Sequence, residues 1–347
     1  MIAISAPDSV SLAIQRTRDF LFRPFKWGTF LKLCLVAMIT EGLGSNFNSS
    51  SHKGSSSGHG PIDPSTMHWT PECIAAIVGA VLLALLLAFW VAYLVTRLRF
   101  AFFHCLTTNT REIKPGWRLY RTQAMRFLWL NVVVGLCFVL LVVVIAIPFV
   151  AGFIQLYHQS QQNGHPDVGL MISLALPLIP IIFLLIVLGI VTDIVLRDWM
   201  LPHYALDDAT AGEAWREVWA AITAEKKQFF VYVLLRVVLP FIASIGVVIV
   251  LIIPGLCLAG ALAAIEYSLH SVLANSTGAA AVVGKILEAF FGLLAAGFAI
   301  LASICLGGPV STGTREFALV FYGGRYRELG DMLFPPPPPV GGSPEIA

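Results

Sequence analysis

The sequence predicts an all-α polytopic integral membrane protein, with six transmembrane helices plus cytoplasmic interfacial amphipathic helices. Three observations carry this. The chain of 347 residues is 57% hydrophobic and only 12% charged, with a mean hydropathy of +0.82, whereas a soluble domain carries about 25% charged residues. Apolar runs recur at about 27–43, 74–95, 128–156, 170–196, 229–265 and 286–306, and a bilayer core is crossed by about 20 apolar residues in a helix. Finally, six crossings put every one of the 22 Lys and Arg residues except Lys53 and Lys285 on the side of the N-terminus, counting Lys32 and Arg236 as reaching back to the headgroups. Positive charge is retained on the cytoplasmic side, so both termini are expected there. An odd number of crossings destroys the partition.

Residues 1–26 end in RTRDFLFRPF. Val10, Ile14, Leu21 and Phe25 fall near helical spacing beside Arg16, Arg18 and Asp19, with Asp8 or Ser9 as cap, the pattern of a helix lying in the interface. No removable signal is expected, because Phe- and Arg-rich sequence rather than a short basic stretch precedes the first apolar run. That run, from Trp27, is short and carries Lys32, close enough to its end to snorkel. Residues 44–71 are rich in Ser, Gly and Asn and cannot bury a core. The membrane domain is assigned to 27–312. Pro148, Pro177 and Pro180 interrupt the third and fourth runs, as bilayer helices tolerate. The run from Phe229 contains Pro240 and Pro254-Gly255 and reads as one kinked span, with two half-helices as the alternative; Glu266 to Gly284 reads as an outer loop. Residues 313–347 form a cytoplasmic tail that begins helical and ends in a run of five prolines, Pro335 to Pro339, an extended spacer.

Two connectors face the cytoplasm, Arg97–Leu130 and Arg197–Arg236. In the second, Thr210-Ala211-Gly212-Glu213 fits a capping box, followed by an apolar stripe of Trp215, Val218, Trp219 and Ile222; Arg216 lies off the stripe. In the first, Trp117, Arg118, Tyr120 and Arg121 precede Phe127 and Trp129. His104 precedes Trp117 by 13 residues and His203 precedes Trp215 by 12, which suggests a two-fold repeat of span, amphipathic helix, span. Trp117, Arg118, Arg121, Trp215, Arg216 and Trp219 are therefore the expected lipid- or partner-binding residues, since anionic headgroups attract such basic and aromatic segments.

FLFRPFKWGTFLKL, WRLYRTQAMRFLWLN and AWREVWAAITAEKKQFFVYVLLR together resemble an uncharacterised family of bacterial and archaeal multispan membrane proteins. The middle motif is also distantly similar to the membrane domain attached to some glycerophosphodiester phosphodiesterases. The resemblance runs from about Phe20 to Leu329 and implies a bacterial inner-membrane location. It implies no reaction, because the motifs are helix signatures and the phosphodiesterase barrel is missing.

Chemistry is hard to place. The polar segments are on the order of 30 residues, with no G-x-x-x-x-G-K-[ST], H-E-x-x-H or G-x-S-x-G, so no enzyme activity and no cofactor are expected. The six cysteines are scattered without metal spacing and read as packing residues. His52, His59, His68, His158, His165 and His270 fall on the outer side without ligand spacing, so no metal is expected. Glu41, Asp193, Arg236, Glu266 and Glu288 lie near span ends, where charge costs least; Arg236 reads as a snorkelling anchor, with Asp193 as its alternative partner. Small residues recur every four positions at Gly255, Ala259 and Ala263, and at Ala295, Ala299, Ser303 and Gly307, which lets helix backbones approach. They are expected to pack the fifth span on the sixth, or to form a homodimer seam. The partners expected are membrane lipids, or another membrane protein or a second copy, and not nucleic acid. The function expected is a non-enzymatic membrane component; the alternative is a permease or channel subunit.

Overall fold

A computed structural model describes residues 4–46, 71–163, 168–273 and 279–335. All regular structure among the described residues is helical: α1 (Ala6–Phe22), α2 (Trp27–Asn46), α3 (Pro71–Thr107), α4 (Ile113–Leu119), α5 (Arg121–Asn163), α6 (Val168–Ile194), a π-helical turn (Val195–Met200), α7 (Leu201–Leu206), α8 (Ala211–Ala224), α9 (Lys226–Leu273), α10 (Ala279–Gly323) and α11 (Arg327–Leu333). The order repeats three times rather than twice. A leading helix (α1, α4, α8) precedes a second helix (α2, α5, α9) and then a third (α3, α6 with its extension through α7, α10). The first two copies end alike. Asn109 and Asp208, each five residues after the matched histidine, take the left-handed conformation (φ 52° and 51°), which Asn and Asp tolerate better than most side chains.

Among the described residues, five helical segments are long and apolar enough to cross a membrane: Cys73–Thr107, Arg121–Gln159, Met171–Leu206, Lys226–Leu258 and Val282–Gly323. Their apolar middles are exposed throughout, Leu86 and Ile253 by 70% and 71%, a surface that suits lipid rather than water. The expected first span, α2, is not among the five. The helix α9 continues without a break past Pro240 and Pro254 to Leu273, so the fifth expected span is a single helix and the first residues assigned to an outer loop are helical. Residues 47–70 and the proline run beyond Pro335 lie outside the described residues.

The chain divides into two compact units. The first comprises 1–84, 102–113 and 227–347. Here α1 and α2 lie along the C-terminal half of α10. The contact is close because α10 offers glycines. A Cβ on Gly308 would stand 2.7 Å from the Cα of Cys34. From Phe317 to Tyr322 α10 is buried on every side, and Tyr232 of α9 stacks on Phe317 and Phe321 at 4.9 and 4.3 Å. Residue 312 is therefore no domain edge, because α10 carries the core of this unit beyond it. The α1 cap is Ser5, whose Oγ accepts from the Asp8 amide, rather than Asp8 or Ser9. The buried stripe of α1 is mostly small, with Ala6, Ser9, Ala13 and Thr17, while Ile14 and Phe25 are exposed.

Arg236 pairs with Glu41 at 2.8 Å, both largely buried. Asp193, its expected alternative partner, instead bonds Arg197 one turn along its own helix at 2.8 Å. Two ions in apolar surroundings are expensive apart and tolerable together. The pair thus links α2 to α9.

The second unit comprises 85–101 and 114–226. Its base is an aromatic chain: Phe100 meets Tyr120 and Phe127 at 5.8 and 5.6 Å, and Phe127 meets Tyr204 at 5.4 Å. Higher up, α5 and α6 run together, with Gly152 facing Leu174 and Gly189 facing Phe138.

Candidate functional site

In the second unit, α8 carries half of the residues that the sequence marks as candidates for binding. Thr210 (φ −76°, ψ 162°) caps α8, and the capping box expected from the sequence forms. The Thr210 amide donates to Glu213 Oε2 at 2.9 Å, and the Thr210 hydroxyl donates to the same oxygen at 2.8 Å. These two bonds hold the Glu213 carboxyl below its usual range, the backbone bond contributing most and the nearby Arg216 and Arg126 guanidinium groups adding to it.

The helix packs on the π-helical turn and buries Ala214 and Val218. The stripe read from sequence therefore divides. Val218 turns inward, while Trp215 and Trp219 turn outward, 46% and 54% exposed. They stack on each other with centroids 5.8 Å apart and planes at 23°. Arg216, Lys226 and Lys227 are near in sequence, with Arg216 exposed on the same helix. Trp215 and Trp219 thus form an exposed aromatic pair on a helix seated through the flanking Ala214 and Val218.

The first connector behaves differently. Its amphipathic part shrinks to the seven residues of α4, because α3 continues to Thr107 and α5 begins at Arg121. Trp117 is half-buried. The Arg97 guanidinium covers its ring at 4.3 Å and donates to its carbonyl at 2.6 Å, so this tryptophan is occupied by the fold. Arg118 and Arg121 are exposed, as is Trp129, which meets Phe89 at 6.2 Å. Of the six residues expected to bind, α8 brings Trp215, Arg216 and Trp219 together; Arg118 and Arg121 remain as exposed cations.

The small-residue ladder is only partly engaged. A Cβ on Gly307 would meet Met38 of α2 at 3.4 Å, and one on Gly255 would meet nothing within 4 Å. Ala295 is half-buried, and Ala299 and Ser303 are exposed. Ala259 and Ala263 have side chains outside the described residues.

Between α7 and α8 lies a polar cluster that sequence reasoning missed. His203 of α7 is buried, with Nδ1 at 3.1 Å from Asp207 Oδ2 and 3.2 Å from Glu217 Oε2. The three ligand atoms lie within 4.8 Å of one another. Asp208, turned by its left-handed backbone, pairs with Arg126 at 2.8 Å. The i, i+4 spacing of His203 and Asp207 was legible. The arrival of Glu217 was not, since it depends on how the chain reverses between α7 and α8.

Residues 4–332 match the model of a family described as "Family of unknown function (DUF7544)". The chain belongs to that family. The DUF7544 match covers all three copies of the helix repeat and carries no activity with it. No curated protein and no solved structure matches the chain. The distant likeness to the phosphodiesterase-attached membrane domain is not shown by these comparisons.

Proposed function

We propose that this DUF7544 protein is a non-enzymatic component of the bacterial inner membrane that holds anionic lipid headgroups at its cytoplasmic face through α8. The observation that carries the reading is the outward, stacked Trp215–Trp219 pair on a helix whose other side is seated by Ala214 and Val218. Flanking cations each add about 1 kcal/mol of attraction to an anionic surface. The same reading takes α2 as a sixth crossing. Its 20 residues match the hydrocarbon thickness, and its one internal carboxylate, Glu41, is neutralised by Arg236. Six crossings return both termini to the cytoplasmic side, in keeping with the distribution of Lys and Arg.

The test is native mass spectrometry of gently extracted protein, wild type against the Trp215→Ala/Trp219→Ala double variant. Anionic lipid retained by the wild type and lost from a correctly inserted double variant is the expected result. Equal retention by both overturns the assignment to α8.

A further inference from the structure

We propose that His203, Asp207 and Glu217 form a binding site for a divalent first-row transition-metal ion. The site stands independently of the lipid-binding reading.

The three side chains converge on one point, with the Asp207 and Glu217 oxygens both close to His203 Nδ1. Nδ1 of an imidazole carries at most one hydrogen, and both carboxylate oxygens stand close to it, at 3.1 and 3.2 Å. One N–H cannot point well at both. A cation placed among the three atoms would face one lone pair from each and screen the carboxylates from each other.

The spacing fits. Metal–nitrogen and metal–oxygen bonds of about 2.0–2.2 Å put neighbouring ligands roughly 3.0–3.4 Å apart in tetrahedral or octahedral geometry, and both contacts of His203 fall in that interval. The Asp207 and Glu217 ligand oxygens also lie within 4.8 Å of each other. Glu217 is half-exposed, so its carboxylate has room to rotate inward, and its outer side leaves a position for water. The ligand chemistry selects the ion class. One imidazole with two carboxylates suits zinc, manganese or ferrous iron better than magnesium or calcium, which take oxygen alone.

The fold holds the site from two sides, α7 with its C-cap and α8. The helix α7 presents His203, its C-cap is Asp207, and α8 presents Glu217. The next residue, the left-handed Asp208, is drawn to Arg126, so two adjacent aspartates point to different partners. Glu217 also lies between Trp215 and Trp219 in sequence, so an ion bound here ties the tryptophan helix to α7.

The experiment uses the full chain in lipid nanodiscs, stripped with chelator and titrated with Co2+ and then Zn2+. Visible absorption of Co2+ and bound-metal stoichiometry are the readouts. The wild type should bind one equivalent more than Glu217→Gln, or bind it at least about ten-fold more tightly, as expected when a ligand is removed. Asp207→Asn should lose the same equivalent. Glu217→Gln is the key variant because its side chain is half-exposed and its loss leaves the buried histidine in place; unchanged thermal unfolding confirms that. Equal stoichiometry and affinity in wild type and both variants overturns the proposal, as does a wild type that binds no ion.

Discussion

At the scale of single residues, partners decide what a charge does. Arg236 has the sequence context of an anchor that reaches for headgroups, yet it meets Glu41 from a helix far away in the chain. No local pattern announces that pairing, because it depends on how α2 lies along α9. Glu213 is the opposite case. Its partner is three residues away, so the capping box was legible and it forms as read. Its consequence is a pH dependence. Hydrogen bonds to the ionised carboxylate lower its folded pKa from the ordinary 4.5. The stabilisation is therefore fully present above the unfolded value, and it fades as pH falls through the lower folded value. The melting-temperature gap between wild type and Glu213→Ala should be present at neutral pH and close in acid. A gap that stays constant into the acid range contradicts the assignment.

At the scale of elements, the close approach of α10 to the α2 backbone lies one residue beyond the ladder that the four-residue repeat picks out. Gly307 ends the ladder, but the backbone approach is at Gly308 against Cys34 of α2. A periodic count of small residues finds a helix able to pack closely; it does not find the partner, which here is α2 for the described contact. Gly308→Val forces side-chain carbons against the α2 backbone. Overpacking costs about 1–3 kcal/mol where neighbours can adjust, and a backbone neighbour adjusts least, so a clear fall in thermal stability is expected. Gly307→Ala meets only the flexible end of Met38 and should be near neutral. Matching losses in the two variants would show that the two helices do not approach as described.

At the scale of the whole molecule, class and element order were legible because lipid imposes long apolar runs and excludes charge from their middles. The runs at 74–95, 128–156, 170–196, 229–265 and 286–306 all fall within long helices. Helix ends were less legible. Once a helix leaves its apolar run its remaining turns are set by packing: α3 continues through Phe100–Leu106 and α10 through Phe317–Tyr322 as largely buried core, where the sequence reads as connector or tail. The third copy of the repeat was missed for a related reason, since α1 buries small residues and lacks the tryptophan that marks the other two leading helices. The candidate face on α8 was half legible. Trp215 and Trp219 were picked out by spacing, but whether a stripe faces core or bilayer depends on which neighbours arrive.

Lipid binding through α8 requires that tryptophan pair to sit among the headgroups. The most direct measurement is fluorescence quenching in nanodiscs made with lipids brominated at graded depths, comparing wild type with Trp215→Phe/Trp219→Phe. The chain has eight tryptophans, so the difference between the two proteins isolates the pair. The predicted difference signal is quenched most by bromine near the headgroups and little by aqueous iodide. A difference signal quenched by iodide and untouched by brominated lipid would place α8 in water and contradict that role.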